Sequence, residues 1–229
     1  MIFGGLEKTT LIDYPGKIAS MVYTIGCNFR CPFCHNPELV DETVETRIPE
    51  EDVLAFLKGR KGMVDALVIT GGEPTIHGED LLSFMKKAKG IGLLVKLDSN
   101  GTNPDILEKA IKRKVVDYIA MDIKAPFRNY SKTVAMPVDT EAIKKSISLL
   151  MSSGVPYEFR TTLVKTLTPP EDILEIGKQI KGAEAYYLQK FVSTKILNPQ
   201  FRRKTTYTDE ELDDLQAKMS KYVKFCGIR

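Results

Sequence analysis

No apolar run in the chain approaches the roughly 18 residues that a membrane-spanning helix needs. Its opening, Met1-Ile2-Phe3-Gly4-Gly5, lacks the charged region, apolar stretch and cleavage site of a signal peptide. The expectation is therefore a cytoplasmic, reducing location with no membrane as partner. Charge of one sign is also scarce. Against 30 acidic residues stand 33 basic ones, and the net of +3 is too weak a bias to argue for nucleic acid or a membrane surface as partner. No internal repeat, low-complexity stretch or linker divides the sequence, which reads as a single domain over residues 1–229. Within it, 1–17 read as an N-terminal cover segment and 192–229 as a C-terminal loop and helix. Cysteine is sparse and clustered: Cys27, Cys31 and Cys34 fall close together, and Cys226 stands far from them. In a reducing compartment such residues bind metal or do chemistry rather than form disulfides.

What is present is a globular composition, 43% apolar and 28% charged over 229 residues. A chain of this length buries roughly 70% or more of its unfolded surface, so it needs no staples. Disordered, collagen-like and disulfide-rich miniature folds are excluded. Apolar runs alternate with helical patterns. Strands are expected at Ser20–Thr24, Ala66–Thr70, Leu93–Asp98, Tyr118–Ile123, Tyr157–Thr162 and Ala185–Gln189. The near-continuous apolar character of runs such as Ala66-Leu67-Val68-Ile69 is that of a parallel sheet covered on both faces. Helix starts are marked by Pro49 followed by Glu50, Glu51 and Asp52, by Asn103-Pro104-Asp105, and by Pro169-Pro170-Glu171-Asp172. Thr208-Asp209-Glu210-Glu211 reads as a capping box, and Gly90, Gly154 and Gly182 as helix stops. Six β-then-α units imply an α/β fold with right-handed crossovers, either an open doubly wound sheet or an incomplete barrel.

Polar clusters follow the strands: Gly71-Gly72-Glu73, Asp98-Ser99-Asn100-Gly101, Asp122 with Lys124, Arg160 with Thr162, and Gln189-Lys190. Both kinds of parallel fold place their sites at the carboxyl ends of strands. The cysteine loop, Cys27-Asn28-Phe29-Arg30-Cys31-Pro32-Phe33-Cys34, follows the first strand as C-x3-C-x2-C. Three thiolates this close can wrap one soft metal centre. A four-iron cluster held by three cysteines keeps one iron open, as a catalytic site requires. Two other readings of these residues stay open. A zinc site would add His35 or His77, and a ferredoxin-like electron carrier would add Cys226 as fourth ligand.

C-x3-C-x2-C with an aromatic residue before its last cysteine, followed by Gly-Gly-Glu after the next strand, resembles the radical S-adenosylmethionine (SAM) enzymes. The resemblance covers nearly all the chain and implies a partial (βα)6 barrel. Within that superfamily, Cys34-His35-Asn36, Ile12-Asp13-Tyr14-Pro15-Gly16, Asp98-Ser99-Asn100-Gly101 and Asp122-Ile123-Lys124 resemble motifs of the glycyl-radical-enzyme activases. Tyr14 stands where many activases carry glycine. With Leu188-Gln189-Lys190-Phe191, it points to the group called anaerobic ribonucleoside-triphosphate reductase activating proteins.

The resemblance implies a [4Fe-4S] cluster on Cys27, Cys31 and Cys34, with SAM chelating the open iron. One electron then cleaves SAM to methionine and a 5′-deoxyadenosyl radical, which takes hydrogen from a glycine of a partner glycyl radical enzyme. A flavodoxin- or ferredoxin-type electron donor is implied as well. Gly72 would let backbone approach the methionine moiety, Glu73 would accept from its ammonium, and Phe33 would pack on adenine beside the backbone of Cys34 and His35. Asp98, Ser99, Asn100 and Asp122 would bond ribose hydroxyls or, as in some activases, hold a monovalent cation. Lys124 would meet the methionine carboxylate, with Arg160 sharing that task or meeting an acidic substrate tail. Gln189 would be a last-strand contact. The loop Ala125–Pro137 would admit the substrate, and the basic run Lys195, Arg202, Arg203 and Lys204 would either dock the electron donor or form a solvated face. A radical SAM enzyme acting on a small molecule, peptide or nucleic-acid base is the alternative activity.

Overall fold

The computed structural model describes all residues, 1–229. Nine strands form one sheet: β1 (Ile2–Thr10), β2 (Ala19–Thr24), β3 (Ile48–Pro49), β4 (Ala66–Gly71), β5 (Leu94–Ser99), β6 (Tyr118–Asp122), β7 (Tyr157–Leu163), β8 (Tyr186–Lys190) and β9 (Cys226–Ile228). Eight helices connect them: α1 (Pro37–Val40), α2 (Glu50–Gly59), α3 (Gly78–Ile91), α4 (Pro104–Lys112), α5 (Tyr130–Val134), α6 (Thr140–Ser152), α7 (Pro170–Gln179) and α8 (Asp209–Met219). The sheet order is β3-β1-β2-β4-β5-β6-β7-β8-β9. From β2 to β8 the six long strands are parallel and adjacent in chain order, as βα units require.

The sheet is covered because its strands are apolar on both faces. On one face Leu67 and Ile69 join the large core with Leu81, Met85, Ile147 and Leu215 from the helices. Each such side chain contributes roughly 1.5–3 kcal/mol on full burial. On the other face Ala66 and Val68 of β4 pack with Ala19, Met21 and Tyr14. The predicted caps form where their chemistry demands. Thr208 Oγ1 accepts from the Glu211 N–H at 3.3 Å, while Glu211 accepts from the Thr208 N–H at 2.9 Å.

Several segments differ from the sequence reading. Residues 2–10 are not simply a cover but a strand, antiparallel to β2 and β3. Their two glycines lie where backbone needs close neighbours: a Cβ at Gly4 would meet the Leu39 side chain. Near the C-terminus, β9 extends the sheet parallel to β8. Helix α3 runs through Gly90 and stops at Gly92, whose φ of +101° is the left-handed cap. Gly154 and Gly182 do take positive φ. The segment 125–137 folds into a 3-10 turn over Phe127–Asn129 and then α5.

Candidate active site

Ends of five parallel strands carry the site. One cavity is lined by Cys27, Cys31 and Cys34 after β2, Gly71 to Glu73 at the end of β4, Asp98 to Asn100 at the end of β5, Asp122 and Lys124 at the end of β6, and Thr162 of β7. Phe33, His35 and Asn36 line it too. Arg160 and Gln189 are outside that lining.

The cysteine loop is held by backbone. The Cys34 N–H donates to the Cys31 carbonyl at 2.9 Å, and the Phe29 N–H to the Cys27 sulfur at 3.4 Å. Arg30 ties the loop from outside, donating to the Cys27 carbonyl at 2.7 Å. Burial pushes the Cys27 thiol up to about 11 and Cys31 up to about 12, against the pull of the Lys124 ammonium. The same burial raises Cys34. Thiols so placed become thiolates when a soft cation displaces the proton.

Cys226 and His77 are directed elsewhere, and His35, although it lines the cavity, has its ring engaged. Cys226 is buried in β9 opposite Tyr186, the first residue of β8, so it lies toward the far end of the sheet from the cavity. It supplies no fourth ligand to the cysteine loop. His77 Nε2 lies 3.0 Å from the Ile25 carbonyl. His35 Nδ1 lies 3.2 Å from the Lys195 carbonyl, its ring stacked on Phe191 at 5.8 Å. No three His, Cys, Asp or Glu side chains converge on a point that one ion would occupy. Three thiols facing one cavity suit a polynuclear cluster, where each thiolate takes its own iron.

Glycines dock the next strand on this loop. The Gly72 N–H donates to the Thr24 carbonyl and the Glu73 N–H to the Gly26 carbonyl, both at 2.9 Å. A Cβ on Gly72 would lie 1.8 Å from the Gly26 oxygen. Gly71, at φ +115°, would bring one to 2.4 Å from the Thr24 nitrogen. Glycine is needed at both positions because backbone meets backbone there.

Glu73 is a hub, with its side chain almost wholly buried. Oε1 accepts from the Thr75 N–H at 3.0 Å, the Thr75 hydroxyl at 2.5 Å and the Ser99 hydroxyl at 2.8 Å, and Oε2 accepts from the Asn100 N–H at 2.6 Å. Burial raises its pKa and these donors oppose the rise. The carboxylate therefore fixes the Asp98–Gly101 turn while Oε2 retains capacity for another donor. Gly101 takes φ +77° there, and a Cβ on it would strike Met121.

Asn28, which sequence reasoning passed over, links the two loops. Its Oδ1 accepts from Asn100 Nδ2 and its Nδ2 donates to Thr102 Oγ1, each at 2.8 Å. A lone Asn between cysteines carried no signal of this. Arg160 is drawn away from the role expected of it, because it pairs with Asp98 at 3.2 Å and Asp122 at 2.9 Å. Burial pushes both carboxyls up, but Arg160 with Lys96 and Lys124 outweighs it and holds both below the ordinary range.

The segment after β8 folds back over the cysteine loop. Leu197 N–H donates to the Cys34 carbonyl and Asn198 N–H to the Pro32 carbonyl, both at 3.0 Å, and Lys195 pairs with Glu38 at 2.7 Å. The Cys34 backbone, expected near adenine, thus has its carbonyl already accepting one bond. Arg202 and Arg203 remain exposed.

A partial parallel barrel that gathers three soft donors and a ring of charged groups at its carboxyl rim defines a cluster-dependent α/β enzyme. The radical SAM superfamily model matches residues 21–180, and the chain belongs to that superfamily. Membership implies a [4Fe-4S] cluster and SAM. A putative glycyl-radical enzyme activating enzyme of Methanocaldococcus jannaschii is 34% identical, the alignment covering 100% of this chain and 95% of that protein. The pyruvate formate-lyase-activating enzyme of Listeria monocytogenes is 29% identical over 77% of this chain and 74% of its own. Among solved structures, SuiB of Streptococcus suis bound to S-adenosylmethionine shares the fold, with a TM-score of 0.71 at 14% identity over 91% of this chain and 49% of that one. No helix is long and apolar enough to cross a membrane.

Proposed function

We propose that the chain is a cytoplasmic activase that generates a glycyl radical on a partner enzyme, the anaerobic ribonucleoside-triphosphate reductase being the partner its motifs favour. The observation that carries this reading is the convergence on one cavity of Cys34-His35-Asn36, Gly72-Glu73, Asp98-Ser99-Asn100 and Asp122 with Lys124. The full-length similarity to a protein named as an activating enzyme supports it.

Cys27, Cys31 and Cys34 would hold the cluster by three of its irons. Bound there and reduced by a flavodoxin- or ferredoxin-type donor, the cluster would supply the one-electron chemistry that opens SAM so that hydrogen can be taken from the partner's glycine. The chain's own side chains orient and shield. Oε2 of Glu73 would accept from the methionine ammonium. Lys124, the cation that faces the cavity, would meet its carboxylate. Phe33 and the backbone at His35 would contact adenine, while Ser99 and Asn100 would set the rim near ribose. Arg160 acts through Asp98 and Asp122 as a positioning residue.

The test is incubation of reduced, reconstituted protein with SAM and the reductase under anaerobic conditions. A glycyl radical doublet by electron paramagnetic resonance is the expected result. SAM cleavage without that signal would remove the reductase as partner and favour a small-molecule, peptide or nucleobase substrate.

A further inference from the structure

A pair of carboxylates at a cavity rim is ordinarily a binding place for a hard cation. Here Asp98 and Asp122 are engaged at every oxygen. Lys96 Nζ reaches Asp98 Oδ1 at 2.6 Å and Arg160 Nη1 reaches Oδ2 at 3.2 Å. Arg160 Nε meets Asp122 Oδ1 and Lys124 Nζ meets Oδ2, both at 2.9 Å. Reading across the strands, the order is Lys-Asp-Arg-Asp-Lys.

The sheet builds this ladder. Lys96 and Asp98 are two apart on β5 and share a face. Asp122 stands directly opposite Arg160 in the parallel register of β6 and β7, and Lys124 follows two residues on. Lys96 is the decisive member, because its side chain is only 2% exposed. A buried ammonium cannot leave its carboxylate without losing both solvent and partner. An inorganic ion would have to share each oxygen with a cation tethered to the fold, against the repulsion between the two. Na+ or K+ at these carboxylates, the cation site expected from sequence, therefore does not fit.

We infer that Lys96 and Arg160 are built-in counter-ions of Asp98 and Asp122, so that the SAM-binding rim works without a monovalent metal ion. Three cations against two carboxylates leave one positive charge in excess, presented to the cavity through Lys124, where it suits the carboxylate of an amino-acid moiety. The inference rests on the reading that SAM binds here.

The experiment measures SAM affinity of the reconstituted protein, and the unfolding midpoint of the cluster-free protein, in NaCl, KCl and N-methyl-D-glucamine chloride at equal ionic strength. For the wild type both should agree among the salts, the affinities within about twofold, since exposed charges feel only ionic strength. Lys96→Met frees Asp98 Oδ1. Its SAM affinity should fall about tenfold or more in the organic salt and recover saturably with Na+ or K+, and its midpoint should follow. A wild-type affinity or midpoint that climbs saturably with Na+ or K+ would overturn the inference, and so would a Lys96→Met protein indifferent to them. The wild-type arms decide the matter even if Lys96→Met does not fold. Absence of SAM binding in every salt would refute the functional reading instead, and the midpoints would still settle the counter-ion question.

Discussion

Replacing Gly72 by alanine isolates the contact on which the site's geometry depends. The new Cβ would stand 1.8 Å from the Gly26 carbonyl oxygen, where ordinary contact begins at 3.4 Å. Both partners are backbone, so no rotamer change relieves the clash, and the turn must retreat by roughly 1.6 Å. A shift of that size breaks the 2.9 Å bond from the Glu73 N–H to Gly26. Overpacking costs about 1–3 kcal/mol, and a buried backbone group left unpaired costs about 1–3 kcal/mol more. The expected loss is about 4 kcal/mol, a fall in midpoint on the order of 10 °C for a chain of this size. Thermal and urea unfolding of the cluster-free protein measure it. Gly59→Ala is the control, since nothing lies within 4 Å of that position at the end of α2, and it should be neutral or stabilising by up to about 1 kcal/mol. Because Gly26 precedes Cys27, Gly72→Ala should also take up less iron per chain on reconstitution. A loss below about 1 kcal/mol with full iron uptake would refute the steric argument.

Alanine at Cys27, Cys31 or Cys34 should each abolish the visible absorbance of the reconstituted cluster, whereas Cys226→Ala should leave that spectrum unchanged, since Cys226 sits in β9. Glu73→Gln places an amide among four donors; urea unfolding should show a loss of about 2–4 kcal/mol, and dialysis with labelled SAM a weaker affinity. Asp98 and Asp122 titrate in the fold below their unfolded value near 3.9. Their contribution to stability is therefore complete above about pH 4 and is lost as pH falls further. Arg160→Met removes the counter-ion they share and leaves each carboxylate one lysine, so the depression weakens. The variant's deficit should reach about 3–5 kcal/mol at neutral pH and shrink as pH falls below about 4. Urea unfolding on either side of that pH checks it, and an equal deficit at both would contradict the ladder.

The six parallel strands were legible because covered strands are apolar throughout, as in Ala66-Leu67-Val68-Ile69. The strand at 2–10 was not, since Gly4, Gly5 and its exposed polar residues give no period, and its pairing with β2 and β3 is decided by distant residues. The helix stop was read two residues early because Gly90 and Gly92 look alike in sequence, and only the second reaches left-handed φ. At the site, the clusters of the first four parallel strands do stand at strand ends, while Arg160 lies inside β7, and side-chain partners were not visible. Arg160 looked available for ligand until the register set it against Asp122. Lys96 did leave a trace: a lysine inside the apolar run Leu93–Leu97 is almost never buried unless paired. Basic residues near 195–204 fit a docking face or a solvated face equally in sequence; backbone bonds from Leu197 and Asn198, invisible there, tie the segment to the cysteine loop while Arg202 and Arg203 stay exposed.

Anaerobic reconstitution with iron and sulfide, reduction, and chromatography of the products after addition of SAM address the central claim. The account predicts a cluster of four irons per chain and release of 5′-deoxyadenosine with methionine, both dependent on Cys27, Cys31 and Cys34 and independent of Cys226. Intact SAM beside a fully loaded and reduced cluster, or a cluster that needs Cys226, would contradict it.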